Sequence, residues 1–240
     1  MRNDRHNRYR TVAGFTLLEL MVVVLILTVM MGVVFQQVDL VQKRARAEQS
    51  KLDAFQQARD FLDLMVRDIH NSGYPNVRVQ DVSQITHGLN DPKNAIGLVM
   101  VNNTELRLET FDEQGKVIAV VYQLNAGTLK RSQAIKNDAS PLTGQTLSLQ
   151  PGVENVQNQV PPNNTAIFTA YKTDGSTVGP ADINLSPSSI ASIKSIEIVL
   201  QVRGNVPDLQ TGLYPATTLR SVVRVINCSQ AATGQSNSCS

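Results

Sequence analysis

From Phe15 to Phe35 the chain is apolar except for Thr16, Glu19 and Thr28, and Arg2, Arg5, Arg8 and Arg10 precede the run. At about 1.5 Å of rise per residue, a helix over 15–35 is about 30 Å long, one bilayer hydrocarbon core. No other stretch limits the fold so strongly, because such a segment needs an apolar surrounding. Three fates compete. A secretory signal peptide has a shorter apolar region that ends in a small-residue cleavage site. Here the run is too long, and no A-x-A pattern follows it. A plain membrane anchor explains the length but not Glu19. The third fate is a signal cut ahead of the apolar run, which leaves the helix in the mature protein.

Glu19 separates the last two. A carboxylate costs about 2.5–3.5 kcal/mol at mid-bilayer on insertion scales, and less near an edge. Glu19 lies about one turn into the run and cannot reach the interface as a lysine could. Such a group faces a partner. A cut after Gly14 would create one type of cation that fits, the α-amino group of Phe15.

Gly14-Phe15-Thr16-Leu17-Leu18-Glu19 resembles the type IV prepilin signal: a basic leader ending in Gly, then Phe, then Glu at the fifth mature position. The resemblance implies cleavage of the Gly14–Phe15 bond by a membrane-embedded aspartyl prepilin peptidase, and N-methylation of Phe15. It also implies that Glu19 pairs with the Phe15 amine of another copy, or of a related pilin, during assembly. The four arginines place the leader in the cytoplasm and the rest of the chain outside. Lys43, Arg44 and Arg46 beyond the run weaken that asymmetry.

Residues 36–71 continue without Pro or Gly. Leu52, Phe55, Leu62, Met65, Val66 and Ile69 recur at three- and four-residue steps, one apolar stripe on an amphipathic helix. Lys43, Arg44, Arg46, Lys51, Arg59 and Arg67 balance Asp39, Glu48, Asp53, Asp60, Asp63 and Asp68. Asn71-Ser72-Gly73-Tyr74-Pro75 stops the helix, with Gly suited to the left-handed residue and Pro preventing continuation. Gly32 is a point of flexibility or of close helix approach.

After Pro75 the pattern changes to short β-prone runs separated by turns: 96–101, 105–111, 116–124, 128–131, 165–172, 193–203 and 217–226. Asn102-Asn103, Asp112-Glu113-Gln114-Gly115, Asn125-Ala126-Gly127 and Thr173-Asp174-Gly175 are the turn signals. Segments 132–144, 156–164 and 178–189 are expected to be loops, and 204–216 a long hairpin loop. Consecutive strands without intervening helices favour antiparallel sheets. The fold class is therefore α+β: a long N-terminal helix, membrane-spanning in its first half, packed on an antiparallel β domain. The organisation is 1–14 leader, 15–35 transmembrane half of the helix, 36–71 amphipathic half, and 72–240 globular domain. With no Trp and few aromatics, the core should be aliphatic.

Val120-Val121-Tyr122-Gln123-Leu124 with Gly127-Thr128-Leu129-Lys130-Arg131-Ser132, the segment 151–156, and 219–227 together resemble PilW-type minor pilins and the related J-type pseudopilin of type II secretion. The major pilins of this class are usually shorter, which points to a minor subunit.

Charge and cysteines narrow the classes. The formal charge is +2, but the leader carries +3, so the remainder is −1. No basic patch with interleaved aromatics supports nucleic-acid binding. Cys228 and Cys239 lack a His or carboxylate cluster for zinc. A short-range disulfide in an oxidising compartment is the preferred reading, with free thiols in a tail as the alternative. His6, His70 and His87 have no metal-ligand pattern around them, and no G-x-S-x-G, P-loop, H-E-x-x-H or C-x-x-C occurs. No catalytic residue, metal or cofactor is expected, and the chain is read as a non-enzyme.

The expected function is a minor pilin that primes or caps a type IV pilus; the alternative is a minor pseudopilin of a type II secretion system. Expected partners are other pilins through the helix, the prepilin peptidase and the inner-membrane assembly platform. The expected location is the bacterial inner membrane, then a pilus or periplasmic pseudopilus. A DNA-uptake pilin lacks the basic patch it would need, and a membrane-anchored enzyme lacks a nucleophile or base.

Overall fold

The computed structural model describes residues 14–73, 92, 95, 97–137, 149–160, 164–178, 192–208 and 211–225. The leader through Ala13, His87, Cys228 and Cys239 lie outside the described residues, so the disulfide does too. The chain divides into two units after Arg46.

One helix, α1, runs over Leu17–Asn71. In the first unit its side chains are exposed throughout, and it passes Gly32 without a break. Thr28 Oγ1 donates to the Val24 carbonyl (2.8 Å). This back-bond satisfies a hydroxyl that an apolar surrounding could not.

In the second unit α1 buries Ala47, Ala58, Phe61, Leu62, Met65, Asp68 and Ile69. The stripe differs from expectation at its ends. Leu52 is 52% exposed, while Ala58, Phe61 and Asp68 join the buried face. The helix stops as the sequence foretold. Gly73 has φ 73°, the Asn71 carbonyl accepts from Thr110 Oγ1 (2.6 Å), and the Gly73 N–H donates to the Glu109 carbonyl (2.8 Å). A strand end therefore caps the last turn.

The strands are β1 (Leu98–Val101), β2 (Glu105–Phe111), β3 (Val117–Asn125), β4 (Thr128–Ile135), β5 (Gln150–Val153), β6 (Phe168–Lys172), β7 (Ile193–Arg203) and β8 (Ala216–Arg224). They form a five-stranded sheet, β1-β2-β3-β4-β5, and a three-stranded sheet, β6-β7-β8. All pairings are antiparallel. The architecture is α+β, one long helix with antiparallel sheets. Two expectations fail. β4 runs on to Ile135, into the segment expected to be a loop from Ser132, because its pairing with β3 continues to Ile118↔Ile135. β5 is a strand despite Pro151 and Gly152. It sits at the sheet edge, where a missing N–H is tolerated, and Gln57 Nε2 holds the Gly152 carbonyl (2.9 Å).

The turn joining β3 to β4 has Ala126 at φ 48° and Gly127 at φ 76°. Two left-handed central residues match the twist of a tight hairpin. Alternation then sends Leu106, Leu108, Val120, Tyr122 and Leu129 into one core with Phe61, Met65 and Ile69. β7 contributes Ile196, Ile198, Leu200 and Val202, which pair with Phe168 and Ala170 of β6 and with Val223 of β8 among others. The core is mainly aliphatic, as expected, although Tyr122 and Phe168 are its largest fully buried side chains.

Candidate functional site

Gly14, Phe15 and Thr16 precede the helix in non-helical backbone. Thr16 is the N-cap. Its Oγ1 accepts from the Glu19 N–H (3.3 Å), and its carbonyl accepts from the Leu20 N–H (3.2 Å). Glu19 therefore sits at the third helical position. Thr16-Leu17-Leu18-Glu19 has the spacing of a capping box, and a carboxylate in the first turn favours the positive end of the helix dipole. The T-x-x-E pattern was there to be read in the sequence, but the case for Glu19 made there rests on charge pairing alone. The two roles are compatible, since both place the carboxylate beside the N-terminus.

The geometry around the expected cleavage point is open. Phe15 is 82% exposed. A Cβ added at Gly14 would meet nothing within 4 Å. From Leu17 to Phe35 no side chain is buried, and the helix is long and apolar enough to cross a membrane. Phe15 and Glu19, the residues expected to pair, lie within one turn of each other. The pairing is expected between copies, and a single chain cannot display it.

The second polar constellation was not anticipated. Asp68 faces the sheet, where its Oδ2 accepts a hydrogen bond from the Tyr122 hydroxyl. It also accepts from Arg131 Nε (3.0 Å) and Nη2 (2.9 Å). The Phe61 and Tyr122 rings meet edge to face, 5.6 Å apart at 84°. Burial, then the charge of Asp68 and the hydrogen bond to it, push the Tyr122 phenol well above its ordinary value. Burial alone would lower the Arg131 pKa, but Tyr122 and Asp68 outweigh it and the net shift is upward. A second buried pair joins Lys136 Nζ to Glu109 Oε2 at 2.8 Å, with side chains 0% and 1% exposed. These groups hold a helix to a sheet and a strand to its neighbours.

Among the described residues no group of three or more His, Cys, Asp or Glu side chains is placed to hold a metal. An open groove lined by Thr128, Glu154, Asn155, Gln157 and Arg203 presents carboxamides and one ion of each sign, without His, Cys or Ser.

Comparison with known proteins agrees with the N-terminal geometry. The prokaryotic N-terminal methylation motif matches residues 9–35, ending where the apolar run ends. No curated protein matches the chain. Among solved structures it is similar to the type IV-like pilin TTHA1219 from Thermus thermophilus, at 8% identity over 73% of this chain and 97% of that one, with a TM-score of 0.39. The chain carries a match to the prokaryotic N-terminal methylation motif at the head of a long apolar helix.

Proposed function

We propose that the chain is a minor subunit of a type IV pilus, cut between Gly14 and Phe15, methylated at the new Phe15 amine, and assembled through its apolar helix. The observation that carries this reading is the matched motif at the head of a helix whose side chains over 17–35 are all exposed. Lipid satisfies that surface first, with the leader in the cytoplasm and the β domain outside. Neighbouring subunits satisfy it later, without new chemistry. Glu19 then finds its cation in the Phe15 amine of the adjacent subunit, and pairing in a medium of low dielectric is far stronger than in water. Gly14 would be the last residue of the leader, on a segment where an added Cβ would meet nothing within 4 Å, open to a peptidase that binds it. The subunit primes or caps the filament, with the assembly platform and other pilins as its partners.

Mass spectrometry of the protein recovered from membranes tests the reading. The mature chain should begin at Phe15 with one added methyl group. A chain that retains residues 1–14 overturns it. Detection of the subunit on sheared pili, and its loss when pilus genes are deleted, separates a pilus role from a secretion pseudopilus.

A further inference from the structure

An uncovered sheet edge is a row of N–H and C=O groups without partners, and folded proteins usually blunt it. Here three outer strands are blunted. β5 is four residues long and contains Pro151, and Gln57 takes its Gly152 carbonyl. β1 is also four residues long, with a register shift between Leu98 and Met100. On β6 the chain folds back: the Lys172 N–H donates to the Ser176 carbonyl and the Val178 N–H to the Ala170 carbonyl, both at 2.9 Å. Among the described residues β8 has no such device. Its pairing with β7 is regular from Ala216 to Arg224, without proline or bulge. Among the described residues β7 is its only strand partner.

The register identifies the open groups. The Val225 N–H donates to the Lys194 carbonyl and the Gly204 N–H to the Pro215 carbonyl. The odd-numbered residues of β8 therefore exchange hydrogen bonds with β7, and the even-numbered ones turn theirs outward. Ala216, Thr218, Arg220, Val222 and Arg224 also have exposed side chains, Val222 at 62%. Arg220 pairs with Glu197 of β7. Arg224, two pleats along, has no ion pair among the described residues. The edge thus offers backbone groups, an exposed valine, and a guanidinium on either side of it.

We propose that this edge takes up an extended segment of another polypeptide as an added strand. That segment carries acidic side chains opposite Arg220 and Arg224, with an apolar residue between them. A second copy of β8 fits poorly. With the two Val222 residues opposed, Arg220 of each copy faces Arg224 of the other, and directly opposed like charges destabilise a pair. Backbone pairing gives such a site its affinity, and the alternate side chains give it specificity. The proposal does not depend on the filament reading, since an anchored domain would present the same edge.

Residue-resolved hydrogen exchange on the full chain in detergent micelles tests it. The probe is a seven-residue peptide alternating threonine with glutamate, valine and glutamate; its control carries lysine for glutamate. In the free chain the amides of Thr218, Arg220, Val222 and Arg224 should exchange much faster than those of Leu219, Ser221 and Val223. The glutamate peptide should slow the first set and bind about tenfold tighter than the lysine peptide, the effect of two modest ion pairs. Arg224→Glu should abolish that preference, since each peptide then meets one opposite and one like charge, while the odd-numbered amides stay protected. Val222→Pro removes one outward N–H and no bond to β7, and should weaken binding. Outward amides already protected in the free chain would overturn the proposal. So would equal binding of the two peptides, or no slowing by the glutamate peptide.

Discussion

Residues 17–35 and 58–69 belong to one helix and are both rich in large apolar side chains, yet they meet opposite surroundings. Leu25 and Phe35 are 65% and 67% exposed; Met65 and Ile69 are 0% and 1% exposed. The difference lies in the arrangement of polar residues. In 58–69, Arg59, Asp60, Asp63 and Arg67 occupy the face away from Ala58, Phe61, Leu62, Met65 and Ile69, so one apolar stripe meets a sheet supplied by the same chain. In 17–35 the apolar residues go all round, and the described residues supply nothing to cover them. One region carries its own solvent in its sequence. The other must find lipid or neighbours.

Glu19→Ala should break this comparison at its first term, and with the largest effect. Removing a carboxylate makes insertion easier, so membrane fractionation should show the variant inserted. Assembly should suffer, because the charge pair is gone while the packing surface remains. A pairing energy near the cost of an isolated carboxylate, about 2.5–3.5 kcal/mol, corresponds to about 100-fold less subunit in sheared filaments. Wild-type amounts of variant in filaments would show that the apolar surface alone suffices.

Asp68→Ala tests the second term. Removing one partner of a fully buried pair costs about 3–5 kcal/mol. Asp68 and Arg131 side chains are 13% and 20% exposed, so solvent reduces the figure to about 2 kcal/mol. For a domain of this size the melting temperature should fall by about 4–8 °C, read from the near-ultraviolet circular dichroism of the full chain in micelles. Membrane insertion should not change. A variant that loses insertion together with tertiary structure would show that the two regions are not independent in the way their burial suggests.

Much of this was legible beforehand, and the failures are instructive. The helix end could be read because Gly73 and Pro75 punctuate a periodic run. β2 and β7 occupy the expected residues, because turn residues bracket alternating ones. β5 was not legible, since Pro151 and Gly152 are poor strand formers and the segment is held by pairing with β4 and by Gln57, far away in sequence. Leu52 was assigned to the buried stripe because periodicity does not show where covering strands begin. Asp68 read as one of a balanced set of surface charges. Its partners Tyr122 and Arg131 are 54 and 63 residues away, and no local pattern announces a pairing over that distance.

Gly152→Ala probes how closely the second region is packed. A Cβ there would overlap the Phe61 ring, which is held edge-on against Tyr122. The ring must shift within a filled core, at about 1–2 kcal/mol. The melting temperature should fall by a few degrees. The variant should be less harmful in a Phe61→Leu background, where the bulk is reduced, and the double-mutant cycle measures that coupling. Strict additivity would mean that the strand edge yields instead of the ring.

The smallest effect is a pH dependence confined to the region that buries its own groups. Tyr122 is protonated in the fold well past its ordinary value of 10.0, first through burial and then through Asp68. In the unfolded chain it ionises near 10. Above that pH the unfolded state holds fewer protons than the folded one, so stability falls as pH rises, and the loss continues until the folded phenol itself ionises. By pH 11 this amounts to about 1 kcal/mol. Thermal melts of the full chain between pH 9 and 11 should show the decline, and Tyr122→Phe should reduce it while lowering stability at neutral pH, leaving the part due to Tyr171, whose hydrogen bond to Glu197 also raises its phenol. Absorbance at the phenolate band should show one tyrosine that titrates only together with unfolding. The apolar run 17–35 contains no tyrosine, so its insertion should not follow this curve. A shared alkaline transition would mean that loss of the β domain carries the membrane helix with it.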